Sequence, residues 1–129
     1  MSYLLDTHTI LWALSGDGRL SAEATRHYES VETGYFSIVS LWELGIKLGL
    51  RREDFRLTEG WEETIPRELT RLGFLRLSVE PEHCRLVSQL PRHHKDPFDR
   101  MLIAQAQERK LSIVSCDTKF DAYSVNRIW

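Results

Sequence analysis

The sequence predicts a three-layer α/β/α sandwich around a mostly parallel sheet, and three observations carry that expectation. Short, wholly apolar runs suit strands covered on both faces. Longer segments between them repeat apolar residues every three or four positions, the period of a helix packed on a core. The two kinds of segment alternate along the chain, which is the pattern of α/β folds. At 129 residues the chain fits one domain spanning 1–129. Leu, Ile, Val and Phe supply 36 of those residues, or 28%, above the roughly 20% below which disorder is expected.

Taken in order, Tyr3, Leu4 and Leu5 form a buried strand that stops at Asp6, and a helix follows at once. A second helix is expected over 20–33, opened by Ser21 and closed by Gly34, and then a strand over Tyr35–Ser37. Val39, Trp42, Ile46 and Leu50 fall at helical spacing, and the basic stretch 51–56 reads as a loop. Trp61, Ile65, Leu69 and Leu72 predict a helix stopped by Gly73. Leu75, Leu77 and Val79 alternate with Arg76 and Ser78, suggesting an edge strand with one wet face. Pro81 and Pro97 each open a helix, running to about Leu90 and Lys110. Strands over 112–116 and 125–129 complete the sheet.

Composition excludes several function classes. The formal net charge is -2, so no global basic field advertises nucleic acid. The longest apolar run, 10–14, is far short of a membrane span. No signal peptide is visible, and Cys84 and Cys116 form no C-x-x-C pair. A cytoplasmic, reducing setting without membrane partners is expected. No P-loop, nucleophile elbow or G-x-G-x-x-G occurs, and His8, His27 and His83 lack metal-ligand spacing.

Four acids map to one edge of the expected sheet. Asp6 and Asp117 each close a strand, while Glu43 and Asp99 lie in the first turns of helices. Ligands of open parallel sheets bind outside the carboxyl ends of the strands. Each acid also has a purely structural explanation. Asp6 suits a helix cap, and Ser40 with Glu43 fits a capping box. Asp96, Pro97 and Asp99 fit N-cap, N1 and N3, and Asp117 suits an Asx-turn into Thr118 and Lys119. Convergence is what caps do not require. Like charges 4 Å apart repel by about 4 kcal/mol at an effective dielectric of 20, so a converging cluster calls for protons or a cation. Hard carboxylate oxygens without a thiolate pair select Mg²⁺ or Mn²⁺, and such centres hydrolyse phosphodiesters. Without the four acids the rest of the chain carries +2, so RNA is compatible with the composition once metal is bound.

The blocks LLDTHTILWAL (4–14), FSIVSLWELGIKLGL (36–50), HKDPFDRMLIAQA (94–106) and VSCDTKFDAYSVNRIW (114–129) resemble the PIN-domain ribonucleases, above all the VapC-type toxins of bacterial toxin–antitoxin pairs. The resemblance implies an α/β sandwich and an endoribonuclease dependent on one or two Mg²⁺ or Mn²⁺ ions. It implies Asp6, Glu43, Asp99 and Asp117 as catalytic metal ligands, and Ser115 or Thr118 as the supporting hydroxyl. Asp96 is a further acid beside the site. It also implies a homodimer and a VapB-type antitoxin lying over the active site.

Arg92, His93, His94 and Lys95 are candidates for a phosphate-contacting lip or for an ordinary solvated loop. Arg100 is expected to pair with a neighbouring acid or to touch substrate. The four tryptophans, Trp12, Trp42, Trp61 and Trp129, are expected mainly in the core. Two other functions stand beside the nuclease: a PIN fold kept for RNA or partner binding without catalysis, and a receiver-type phosphoacceptor domain. The latter lacks an acidic pair at the first strand, since Thr7 and His8 follow Asp6.

Overall fold

The computed structural model describes residues 2–16, 18–19, 21–28, 32–51 and 56–129. Parts of the helix expected over 20–33, the side chain of His27, and Arg52 in the basic loop lie outside the described residues. Among the described residues, five strands form one sheet in the order β3-β2-β1-β4-β5, every pair parallel. The strands are β1 (Ser2–Leu5), β2 (Thr33–Ser37), β3 (Leu75–Leu77), β4 (Ser112–Val114) and β5 (Arg127–Ile128). The helices are α1 (Thr7–Ser15), α2 (Ala22–Tyr28), α3 (Ile38–Gly49), α4 (Trp61–Arg71), α5 (Pro81–Gln89) and α6 (Pro97–Arg109), with a 3₁₀ turn at Thr118–Ala122.

The apolar run of β1 does what its composition requires. Tyr3 and Leu5 enter one core with Ile10, Phe36, Leu44 and Val114. Leu4 enters the other with Val39, Leu102, Ile103 and Ile113. Both faces of the central strand are therefore covered, as expected of a parallel sheet. The connections from β1 run outward through β2 to β3, and the chain then crosses back to place β4 on the other side of β1. That reversal opens a crevice at the carboxyl ends of β1 and β4.

Several elements differ from expectation. Gly34 does not close a helix; it lies in β2 opposite Tyr3. A Cβ there would sit 2.6 Å from the Phe74 ring and 2.8 Å from the Tyr3 ring, so the glycine admits an edge-to-face aromatic pair. Helix α3 begins earlier than the capping-box reading has it. Ser37 is the cap, its hydroxyl accepting from Val39 N at 3.1 Å, and Ser40 and Glu43 are free for other partners. The stripe Trp42, Ile46 and Leu50 faces outward, 59%, 45% and 66% exposed, because α3 buries its opposite side through Val39 and Leu44. The core assignment of Trp42 is thus overturned. Trp61 and Trp129 are partly buried against the first core, and Trp12, also partly buried, packs on Trp129 with ring centroids 5.7 Å apart. Strand β3 is at the sheet edge as expected, yet only Leu77 is buried, while Leu75 and Val79 stay half exposed.

Candidate metal centre at the strand ends

Asp6 sits where β1 ends and α1 begins, and it serves both. Its Oδ1 accepts from Thr9 N at 2.8 Å, capping α1, while its backbone N–H donates to Val114 O at 3.2 Å and so ties it to β4. Ser115, fully buried just past β4, donates to Asp6 Oδ2. The same hydroxyl oxygen accepts from Asp117 N at 3.0 Å. One serine thus sets the positions of two of the four acids. Thr118 is exposed on the 3₁₀ turn, so of the two candidate hydroxyls it is Ser115 that touches the acids. Burial pushes the Asp6 carboxyl above its ordinary range, against the opposing pull of Ser115 and Thr9.

Glu43 approaches from α3. Thr7 donates to Glu43 Oε1 at 2.7 Å, and the Thr7 hydroxyl lies 3.0 Å from Ser40 Oγ. Lys47, one turn on, pairs with Oε2 at 3.0 Å. Asp99 comes from the first turn of α6. Asp96 caps that helix, its Oδ1 accepting from Phe98 N at 2.8 Å and Asp99 N at 3.1 Å. Pro97 supplies N1. Asp117 Oδ1 accepts from Lys119 N at 2.9 Å, forming the expected turn. These capping roles and the convergence coexist.

His94, expected from the sequence as a candidate phosphate contact, lies instead against two of the acids. Its Nε2 lies 2.7 Å from Asp99 Oδ2. One ligand atom each from His94, Asp99 and Asp117 lie within 4.8 Å of one another. Asp6 and Glu43 stand outside this triplet, joined to it through Ser115 and through the charge of Glu43 on Asp99. Asp99 is pushed up to about 6, first by burial and then by Asp96 and Glu43, with His94 opposing. The signal for His94 lay in its spacing: five residues before Asp99, with Asp96 and Pro97 fixing the turn between them. Reading it with its exposed neighbours Arg92, His93 and Lys95 hid that.

Among the described residues Arg100 pairs with no acid. Its guanidinium donates to the carbonyls of Pro91 at 2.8 Å, Val87 at 3.1 Å and Leu90 at 3.3 Å, and to Tyr123 Oη at 3.3 Å. Buried Tyr123 accepts from His94 N at 2.8 Å and donates to Pro91 O at 3.1 Å. The segment leading into α6 is therefore strapped down from two sides. At the next strand end, buried Gln105 accepts from Ser37 Oγ at 2.6 Å and donates to Ser78 O at 3.3 Å, joining α6 to the ends of β2 and β3.

The chemistry of the donor set, carboxylate oxygens with one imidazole nitrogen, fits a hard to borderline divalent ion. Nothing in it suits a thiolate-bound metal.

The chain belongs to the PIN domain family, whose model matches residues 3–126. This sets the receiver-type alternative aside. No curated protein matches the chain in sequence. Among solved structures it is similar to VapBC2 from Rickettsia felis bound to a promoter DNA fragment, with TM-score 0.69 and 13% identity over 98% of this chain and 97% of that one. It is similar to FitAcB from Neisseria gonorrhoeae, with TM-score 0.65 and 20% identity over 98% and 96%. DNA-bound VapBC from Salmonella typhimurium gives TM-score 0.69 and 16% identity over 98% and 96%. At these identities the likeness is one of fold.

Proposed function

We propose that the chain is a Mg²⁺- or Mn²⁺-dependent endoribonuclease, and that it acts as the VapC-type toxin of a toxin–antitoxin pair. The observation that carries the nuclease reading is the meeting of Asp99 and Asp117 with Asp6 and Glu43 beside them, at the crevice between β1 and β4 of a PIN fold. The toxin reading is supported by solved structures of the same fold, VapBC2 and VapBC each with DNA, FitAcB, and a toxin-antitoxin complex from Klebsiella pneumoniae.

Asp99 and Asp117 are the residues to hold the ion, with Asp6 and Glu43 alongside. A divalent ion bound there supplies a more acidic water and a positive charge for the phosphodiester's non-bridging oxygens. Ser115 holds the Asp6 carboxylate and the Asp117 backbone in one orientation. Thr7 and Lys47 hold Glu43 in the same way. Exposed Arg92, His93 and Lys95 lie beside the centre in sequence and are available to the RNA backbone. The protein partners proposed are a second copy of the chain and a VapB-type antitoxin, the latter covering the crevice.

The test is cleavage of a mixed single-stranded RNA by the purified chain in Mg²⁺ or Mn²⁺. Asp99→Asn and Asp6→Asn are each expected to lose more than about 100-fold in rate while keeping the fold, as removing the support of a metal ligand alone costs 10–100-fold. Full activity of Asp99→Asn would overturn the assignment. Expression alone is expected to arrest growth, and co-expression of an adjacent gene for a small DNA-binding protein to relieve it.

A further inference from the structure

The chain has two described histidines in contact with acids, and they are built differently. His83 is buried in α5, where its Nδ1 accepts from Glu80 N at 2.9 Å and its Nε2 meets Glu108 at 3.1 Å. Both ring nitrogens are used within helix packing, away from the strand ends. His94 stands on the segment before α6 among exposed residues, yet its own side chain is only 13% exposed. Its backbone N–H is fixed on Tyr123 Oη, and Arg100 holds the carbonyls around it. A loop that only needs solubility has no use for such a strap. What the strap achieves is to aim Nε2 at Asp99, within reach of Asp117.

Ligand atoms at about 2.1 Å from an octahedral ion stand about 3.0 Å apart when adjacent. His94 Nε2 and Asp99 Oδ2 are hydrogen-bonded at 2.7 Å, so sharing an ion requires the pair to give up the proton between them and part by about 0.3 Å. Imidazole nitrogen suits the later first-row ions best, but of the two ions that favour carboxylate oxygen it is Mn²⁺, itself a first-row transition ion, that accepts it, whereas Mg²⁺ takes oxygen and sheds water reluctantly.

Resting on the metal-dependent reading above, we infer that His94 is itself a ligand of the ion, donating Nε2 beside the carboxylates of Asp99 and Asp117, and that it makes the centre selective for Mn²⁺ over Mg²⁺. The imidazole binds as the neutral ring, with its proton on Nδ1. The preorganised loop means that ligand and carboxylates need little rearrangement to close on the ion.

The experiment uses the full chain titrated with Mn²⁺ and followed by pulsed electron paramagnetic resonance. Nitrogen coupling of a directly bound imidazole is expected, and it changes from the ¹⁴N to the ¹⁵N pattern when the protein is made with ¹⁵N-histidine. That readout needs no variant. His94→Gln is expected to lose the coupling and to lower the Mn²⁺:Mg²⁺ affinity ratio by about tenfold or more, while His93→Gln keeps both. Mn²⁺ bound without nitrogen coupling, with the ratio unchanged in His94→Gln, would overturn this proposal and leave the metal-dependent nuclease standing. No saturable Mn²⁺ or Mg²⁺ binding at all would overturn both.

Discussion

Asp99 carries the clearest electrostatic signature of the molecule. Its folded-state value of about 6 lies above the ordinary 3.8, so between those two values the folded chain holds a proton that the unfolded chain releases. The stabilisation from that proton is complete below about pH 4 and is lost as pH rises through 6. Asp6 acts in the same direction. In metal-free buffer Asp99→Asn is therefore expected to equal the parent chain near pH 4 and to exceed it above pH 6.5, by about 1–3 kcal/mol. Urea unfolding across that range checks this, and a pH-independent difference would contradict it. Asp6→Asn is less informative about capping, because asparagine caps as well as aspartate. At Ser115 one hydroxyl serves Asp6 and Asp117 together. Ser115→Ala is expected to cost about 1–3 kcal/mol, the price of leaving buried polar groups unmatched, and to lower RNA cleavage as well.

At the scale of elements, β2 and α3 meet at Ser37, whose hydroxyl both caps the helix and donates to Gln105 on α6. Gly34 lets β2 pass under the Tyr3 and Phe74 rings. Gly34→Ala is expected to destabilise by about 1–3 kcal/mol through displaced rings, read as a lower melting temperature with secondary structure intact. These two positions also show where sequence reading stops. The run Tyr3-Leu4-Leu5 and the spacing of Trp61, Ile65 and Leu69 declare their elements through local pattern. Ser40 and Glu43 satisfy the capping-box pattern equally well, but Thr7, 33 and 36 residues away, takes both side chains instead. A glycine after a helical stretch reads as a stop, and only the tertiary aromatic pair explains it as a strand residue. Trp42 reads as core by size and spacing, and which side of α3 turns inward is set by α6 and the sheet.

For the whole molecule, the site follows from strand order. Parallel pairing places the ends of β1 and β4 side by side, so Asp6, Ser115 and Asp117 meet without any special loop. That much of the centre was legible from two strands ending in acids. His94 was not, because its position depends on Tyr123, 29 residues further along. Divalent ions are expected to stabilise the folded chain, by about 2.7 kcal/mol at one hundred times the dissociation constant, and to flatten the pH dependence that Asp99 creates. Melting curves with and without Mn²⁺ at pH 5 and pH 7.5 measure both effects, and an equal shift at the two values would argue against binding at Asp99. The Tyr123 hydroxyl meets Pro91, His94 and Arg100 at once, while its ring belongs to the second core. The ring and the hydroxyl of one residue thus serve separate ends: a phenylalanine at 123 would keep the apolar ring in the second core and release the backbone around His94 from its tether.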